Sequence, residues 1–201
     1  MVKADCGGCN GCSRCCHGMG NSIILDPYDV YRMTTGMGKS MQELLAASVE
    51  LNVVDGVILP NLKMQGAEEA RAYLDGEGRC SIHPYRPGIC RLFPLGRYYE
   101  NGGFSYFLQT GECAKENRSK IKVSKWIDTP DLTRNQQFTL QWHDLLHAME
   151  ERLTGEDEGK QREENLLLLR LFYLLPYEGT IDFYTQFTER MEHWNGQNGQ
   201  I

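Results

Sequence analysis

No run in this 201-residue chain is apolar for long enough to cross a bilayer. The longest, residues 166–175, spans ten residues and is broken by Arg170, against about 20 needed. The opening Met-Val-Lys-Ala-Asp-Cys has no apolar stretch of the secretory kind, so neither a membrane partner nor secretion is expected and a cytoplasmic location is. Basic charge is not in excess: 21 Lys and Arg against 27 Asp and Glu leave −6, which argues against nucleic acid as a partner. There is no phosphate loop, no Rossmann glycine fingerprint and no nucleophile elbow, so those enzyme classes have no positive support. With 41% hydrophobic and 24% charged residues, the chain is neither disordered nor collagen-like and can bury a core.

What the chain has instead is cysteine. Five of its eight cysteines fall in one run, Cys6, Cys9, Cys12, Cys15 and Cys16; Cys80, Cys90 and Cys113 follow. A disulfide framework needs an oxidising compartment, and five clustered cysteines would find only three distant partners. Isolated cysteines are often small buried hydrophobes, but that reading does not fit repeated Cys-x-x-Cys spacing in a glycine-rich run. Metal binding does fit. A tight turn brings two sulfurs separated by two residues to one side, and Gly7, Gly8 and Gly11 supply the freedom such turns use. Cys6-x2-Cys9-x2-Cys12-x3-Cys16 has the ligand spacing of a bacterial ferredoxin, though His17 stands where proline is usual and no second copy follows. Two local and two distant cysteines would instead make a tetrahedral zinc site, with His17 and His83 nearby. The spacing favours iron–sulfur over zinc and leaves both open.

Charge is uneven along the chain. Residues 79–126 carry nine Lys and Arg and three Glu, or +6, so the rest carries −12. The basic stretch holds the three later cysteines, and cations beside thiols favour the thiolate and offset a thiolate-rich centre. Arg79, Arg86 and Arg91 are candidates to surround the centre and balance its charge, with Arg86 and Arg91 flanking Cys90. The Lys115–Lys125 part reads equally well as a solvated face.

Local signals predict a mainly helical α+β fold: a loop-rich cysteine module with a small antiparallel sheet over 1–127, a helical bundle over 128–194 packed on it, and a disordered tail over 195–201. Asp26-Pro27 predicts a helix to about Met33, and the Ser40/Glu43 capping box a second one carrying Leu44, Leu45, Val49 and Leu51. Residues 53–59 read as a hairpin or strand, and 95–108, turning at Asn101-Gly102-Gly103, as a better hairpin. Phe138, Trp142, Leu145, Met149 and Leu153 recur at helical spacing up to Gly155. Two more helices are expected, one stopped by Pro176 and one over 180–194.

Other constellations are weaker. His143, His147 and Glu150 share a helical face but lack the glutamate that a zinc protease places beside its first histidine, so they are expected to flank the buried stripe or face water. Tyr98, Tyr99, Tyr106 and Phe107 read as core. Arg32, Arg71 and Arg190 carry no signal.

Cys9-x2-Cys12-x2-Cys15-Cys16, then Asp26-Pro27-x-Asp29, then Gly78-Arg79-Cys80, His83-Pro84-Tyr85-Arg86-Pro87 and Cys90-Arg91-Leu92-Phe93-Pro94 together resemble the YkgJ-type cysteine-cluster family over roughly residues 9–113. That family is associated with zinc or iron chelation and includes flagellin lysine N-methylase. The resemblance implies Cys9, Cys12, Cys15, Cys16, Cys80, Cys90 and Cys113 as ligand candidates, with Cys6 additional to the pattern. The expectation is one metal site, a [4Fe–4S] cluster ahead of zinc, with a protein substrate or redox partner. Two alternatives are a protein lysine N-methylase using the cluster with S-adenosylmethionine, and a structural zinc module that presents its helices to a partner.

Overall fold

The computed structural model describes residues 1–5, 12–66, 70–113 and 117–198, and its α+β architecture is mainly helical. A strand β1 (Val2–Asp5) is followed, after a short turn at Arg14–Cys16, by helices α1 (Pro27–Met37) and α2 (Met41–Ala47). Strands β2 (Val49–Val54), β3 (Val57–Leu62), β4 (Met64–Gln65) and β5 (Ala70–Arg71) come next, then helix α3 (Gly88–Leu92). Strands β6 (Leu95–Glu100), β7 (Gly103–Leu108) and β8 (Ser119–Ile121) lead to the short helix α4 (Val123–Ile127). The chain finishes with α5 (Leu132–Leu153), α6 (Glu158–Leu169, continued by a π-helical turn Arg170–Leu174) and α7 (Phe183–Asn198). Among the described residues the strands form four two-stranded antiparallel sheets: β1 with β8, β2 with β3, β4 with β5 and β6 with β7. No helix among those residues is long and apolar enough to cross a membrane.

The helix starts follow from their caps. Asp26 accepts from the Asp29 N–H at 2.8 Å while Asp29 accepts from the Asp26 N–H at 3.3 Å, a reciprocal box that satisfies two otherwise unpaired donors at the start of α1. Pro27 occupies the first helical position, and Gly38 ends the helix at φ 63°, so α1 runs past the expected Met33 to Met37. Ser40 and Glu43 form the second box, at 2.8 and 3.2 Å. That second helix is shorter than its apolar pattern suggests. It stops at Ala47, and Val49 and Leu51 join β2, paired with Leu62 and Pro60 of β3. The β-branched Val49, Val53 and Val54 favour a pleated ladder over another helical turn. Both hairpins turn through a two-residue, positive-φ pair, Asp55-Gly56 (51° and 83°) and Asn101-Gly102 (51° and 70°), the backbone that matches strand twist. At the other end, α7 begins at Phe183 and extends to Asn198, beyond the expected stop at Trp194.

One hydrophobic core unites the two halves of the chain. Ile23, Leu25 and Met33 from the first half pack in the same cluster as Phe138, Phe172 and Phe187 from the helices. A smaller cluster joins Leu92, Leu95 and Ile127, the last residue of α4. Two buried polar side chains stitch the large core together. Asn165 on α6 accepts from Ile58 N–H at 2.6 Å and donates to Gly56 O at 3.2 Å and Gln161 O at 2.9 Å, fastening the β2–β3 turn to the helix. Arg190 on α7 donates to the carbonyls of Leu171, Leu175 and Pro176 at 2.7, 3.1 and 2.9 Å, which caps the end of the π-helical turn. Removing the Asn165 amide leaves those groups without their partner. Asn165→Ala is therefore expected to lower unfolding free energy by about 1–3 kcal/mol, read as a shifted urea midpoint with unchanged slope.

Candidate metal centre

The N-terminal cysteines arrive on the short turn Arg14–Cys16, closed by Cys16 N–H donating to Ser13 O at 2.7 Å. This turn is held beside β5 by an isolated bridge between His17 and Ala70. The second cysteine block is built by a loop. Asp75 Oδ1 accepts from the backbone N–H groups of Glu77 and Arg79 at 2.9 and 2.8 Å, and Cys80 bridges back to Leu74. Pro87 then sets the entry to α3, which carries Cys90. The start of α3 is anchored from elsewhere: Gly88 N–H donates to Asp29 Oδ1 at 2.6 Å, and Arg32 on α1 donates to Pro84 O. Trp126 on α4 closes one side by donating its indole N–H to Leu92 O and Phe93 O, both at 3.2 Å.

These elements enclose a cavity of about 230 Å³ whose lining includes Cys12, Cys15, Cys16, Cys80 and Cys90. Arg71, Arg79, Arg86, His83, Tyr73, Phe93 and Trp126 share that lining. Cys6 and Cys9 lie outside the described residues. Among the described residues no three Cys, His, Asp or Glu side chains are already closed around a point fit for an ion; the five thiols line the walls of a shared space. The donor set is soft and thiol-rich, with cations to offset thiolate charge, and it suits zinc or iron.

Two of the expected residues lie apart from this lining. Cys113 is not among the residues lining the cavity. Arg91 is not either: its side chain is buried at 4% exposure, 3.9 Å from Asp29 Oδ1 and 5.6 Å from the Tyr28 ring centre. The helical turn of α3 separates Arg91 from Cys90 by about 100°. Arg79 reaches the lining while pairing with Glu77 at the surface, and Arg86 donates to His83 Nε2 at 2.8 Å. Burial, aided by Arg86, holds His83 below its ordinary pKa, so it accepts as neutral imidazole. Lys120, Lys122 and Lys125 are exposed and away from the lining.

The cation that touches the thiols is Arg71, to which the sequence attached no signal. Nη1 donates to Cys90 Sγ at 3.0 Å and Nη2 to Cys15 O at 2.5 Å. It sits on a two-residue strand between the cysteine blocks, too short to leave a pattern. Outside the cavity, His143 stacks on Tyr99 at 3.8 Å and His147 lies 3.5 Å from Glu151, both partly open to water. The β6–β7 aromatics are less buried than expected: Tyr98 and Phe107 are exposed, with the Phe107 ring lying over Gly96.

The thiols are not equivalent. The Cys15 thiol hydrogen-bonds Cys16; with burial this pushes Cys15 far up, while the same bond, helped by Arg71, draws Cys16 below the usual thiol value. Burial pushes Cys90 up to about 12 against the pull of Arg71. Beneath the site, burial and the neighbouring Asp26 push Asp29 up to about 8, while Arg91 and the Gly88 N–H pull it down.

A family model described as "Putative zinc- or iron-chelating domain", CxxCxxCC, matches residues 8–120, more than half of the chain. The protein belongs to this cysteine-cluster family, and that membership supports metal binding, with zinc or iron as the metal. No curated protein and no solved structure matches the chain.

In reduced, metal-free protein, iodoacetamide is expected to modify Cys16 before Cys15 and Cys90 near neutral pH, mapped by peptide mass spectrometry; equal rates would contradict the assignment of Cys16 as the first thiolate. For Asp29, the native state holds a proton that the unfolded state releases near pH 4, so stability is fully present below that pH and is lost as pH rises through about 8. Urea titrations from pH 5 to 9 should show this decline, by at most ~1.4 kcal/mol per pH unit, and a flatter profile for Asp29→Asn.

Proposed function

We propose that the chain is a metal-binding protein whose two cysteine blocks hold one iron–sulfur cluster, of the [4Fe–4S] type. The observation that carries this reading is that thiols from two distant segments, Cys12, Cys15 and Cys16 on one side and Cys80 and Cys90 on the other, line a single cavity. Its size supports a cluster over a lone zinc ion. A structural zinc draws four ligands into a tight tetrahedron, whereas about 230 Å³ would hold several waters at about 30 Å³ each. When bound, the cluster supplies one-electron chemistry. The chain's own part is to provide thiolates, offset their charge with Arg71, Arg79 and Arg86, and limit water with Tyr73, Phe93 and Trp126.

Anaerobic purification followed by metal and sulfide analysis tests this. Coloured protein with iron and acid-labile sulfide is expected. Colourless protein with stoichiometric zinc overturns the cluster in favour of zinc, and folded protein that takes up neither metal overturns both. Cys90→Ala is expected to reduce bound metal to background, whereas Cys113→Ala, outside the cavity lining, retains it.

A further inference from the structure

Arg71 belongs to neither cysteine block, yet it joins them. Its backbone is placed by β5: Arg71 pairs with Met64 of β4, and the adjacent Ala70 bridges His17 next to the N-terminal turn. From there the guanidinium spans to α3. One nitrogen donates to Cys90 Sγ at 3.0 Å, the other to Cys15 O at 2.5 Å, and among the described residues the buried Nε has no hydrogen-bond partner. The two acceptors are 75 positions apart in the chain, so nothing local holds them in register.

We propose that Arg71 is the positioning residue of the metal centre, a fork that locks Cys90 against the Cys15–Cys16 turn and keeps a hydrogen bond on the Cys90 sulfur after that sulfur becomes a ligand. The proposal rests on reading the cavity as the metal site. Its physical basis is the guanidinium itself: planar, permanently charged, and able to donate in two fixed directions at once. A lysine ammonium at the same position brings charge without the two-pronged geometry. Hydrogen bonding to a thiolate lowers the energy of its lone pairs, so the sulfur donates less strongly and its charge-transfer absorption moves to higher energy. The fork thus has two separable consequences. It lowers the cost of bringing the two blocks together, and it tunes the bound sulfur.

Cobalt(II) provides the probe, because its thiolate complexes absorb strongly. Metal-free wild type, Arg71→Met and Arg71→Lys are titrated anaerobically with cobalt, and affinity is measured by chelator competition, with far-UV circular dichroism reporting the fold. Arg71→Met is expected to bind about 10- to 100-fold more weakly, with its thiolate-to-cobalt band displaced to lower energy. Arg71→Lys should fall between the two in both readouts. A folded Arg71→Met with wild-type affinity and band position overturns the proposal. Should Arg71→Met fail to fold, Arg71→Lys decides: wild-type values in both readouts overturn the fork. Wild type that takes up no cobalt, iron or zinc overturns the metal reading and this inference with it, whereas a wild-type centre indifferent to Arg71 overturns the inference alone.

Discussion

The buried carboxyl of Asp29 is the point on which the first half of the protein turns. One of its oxygens accepts from the Asp26 N–H and so starts α1; the other accepts from the Gly88 N–H and so starts α3. At 2% exposure water cannot replace either partner, and the Arg91 guanidinium 3.9 Å away pulls its pKa down against burial. Breaking one side of such an arrangement strands a buried polar group, which is why interactions of this kind hold geometry more firmly than their net energy suggests. Through Asp29 the helix packed in the main core and the helix carrying Cys90 are one rigid construction. Arg32, reaching from α1 to Pro84 O, adds a second tie across the same interface.

The cysteine-lined cavity rests on this base and takes its chemistry from the thiols that line it. Five thiols in one small volume repel one another as they lose protons, and a cation in contact with them favours the thiolate forms. Arg71 makes that contact at the Cys90 sulfur, and Arg79 and Arg86 line the same space. Within the Cys15–Cys16 pair the shared hydrogen bond separates the two sulfurs, leaving Cys16 the easier to ionise. Arg91, beside Cys90 in sequence, lies instead against Asp29 and the Tyr28 ring.

Local features were legible because they act over three or four residues. The boxes at Asp26/Asp29 and Ser40/Glu43 and the Asn101-Gly102 turn all complete their hydrogen bonds or backbone geometry nearby. The cysteine run was legible for the same reason, since Cys-x-x-Cys spacing is itself a local geometric statement. The end of α2 was not, because Val49 and Leu51 serve a helical stripe or a ladder equally well until β3 is present to pair with them. Arg71, Arg190 and Asn165 left no trace for a related reason: their partners lie 19, 56, 19, 15, 14 and 107 positions away, on elements that meet only through packing.

By itself, then, the sequence determined that this is a cysteine-cluster protein with a mainly helical α+β fold and two cysteine-bearing segments, because composition, caps and short spacings act within a few residues. Only the tertiary structure decided which thiols share a cavity and which arginine touches them. It drew Cys80 and Cys90 to the N-terminal turn, left Cys113 outside the lining, and set Arg71 rather than Arg91 against the Cys90 sulfur. Nearness to Cys90 in the chain favoured Arg91, but the helical turn of α3 sent its side chain to a different neighbour, and β5 brought Arg71 across to the sulfur.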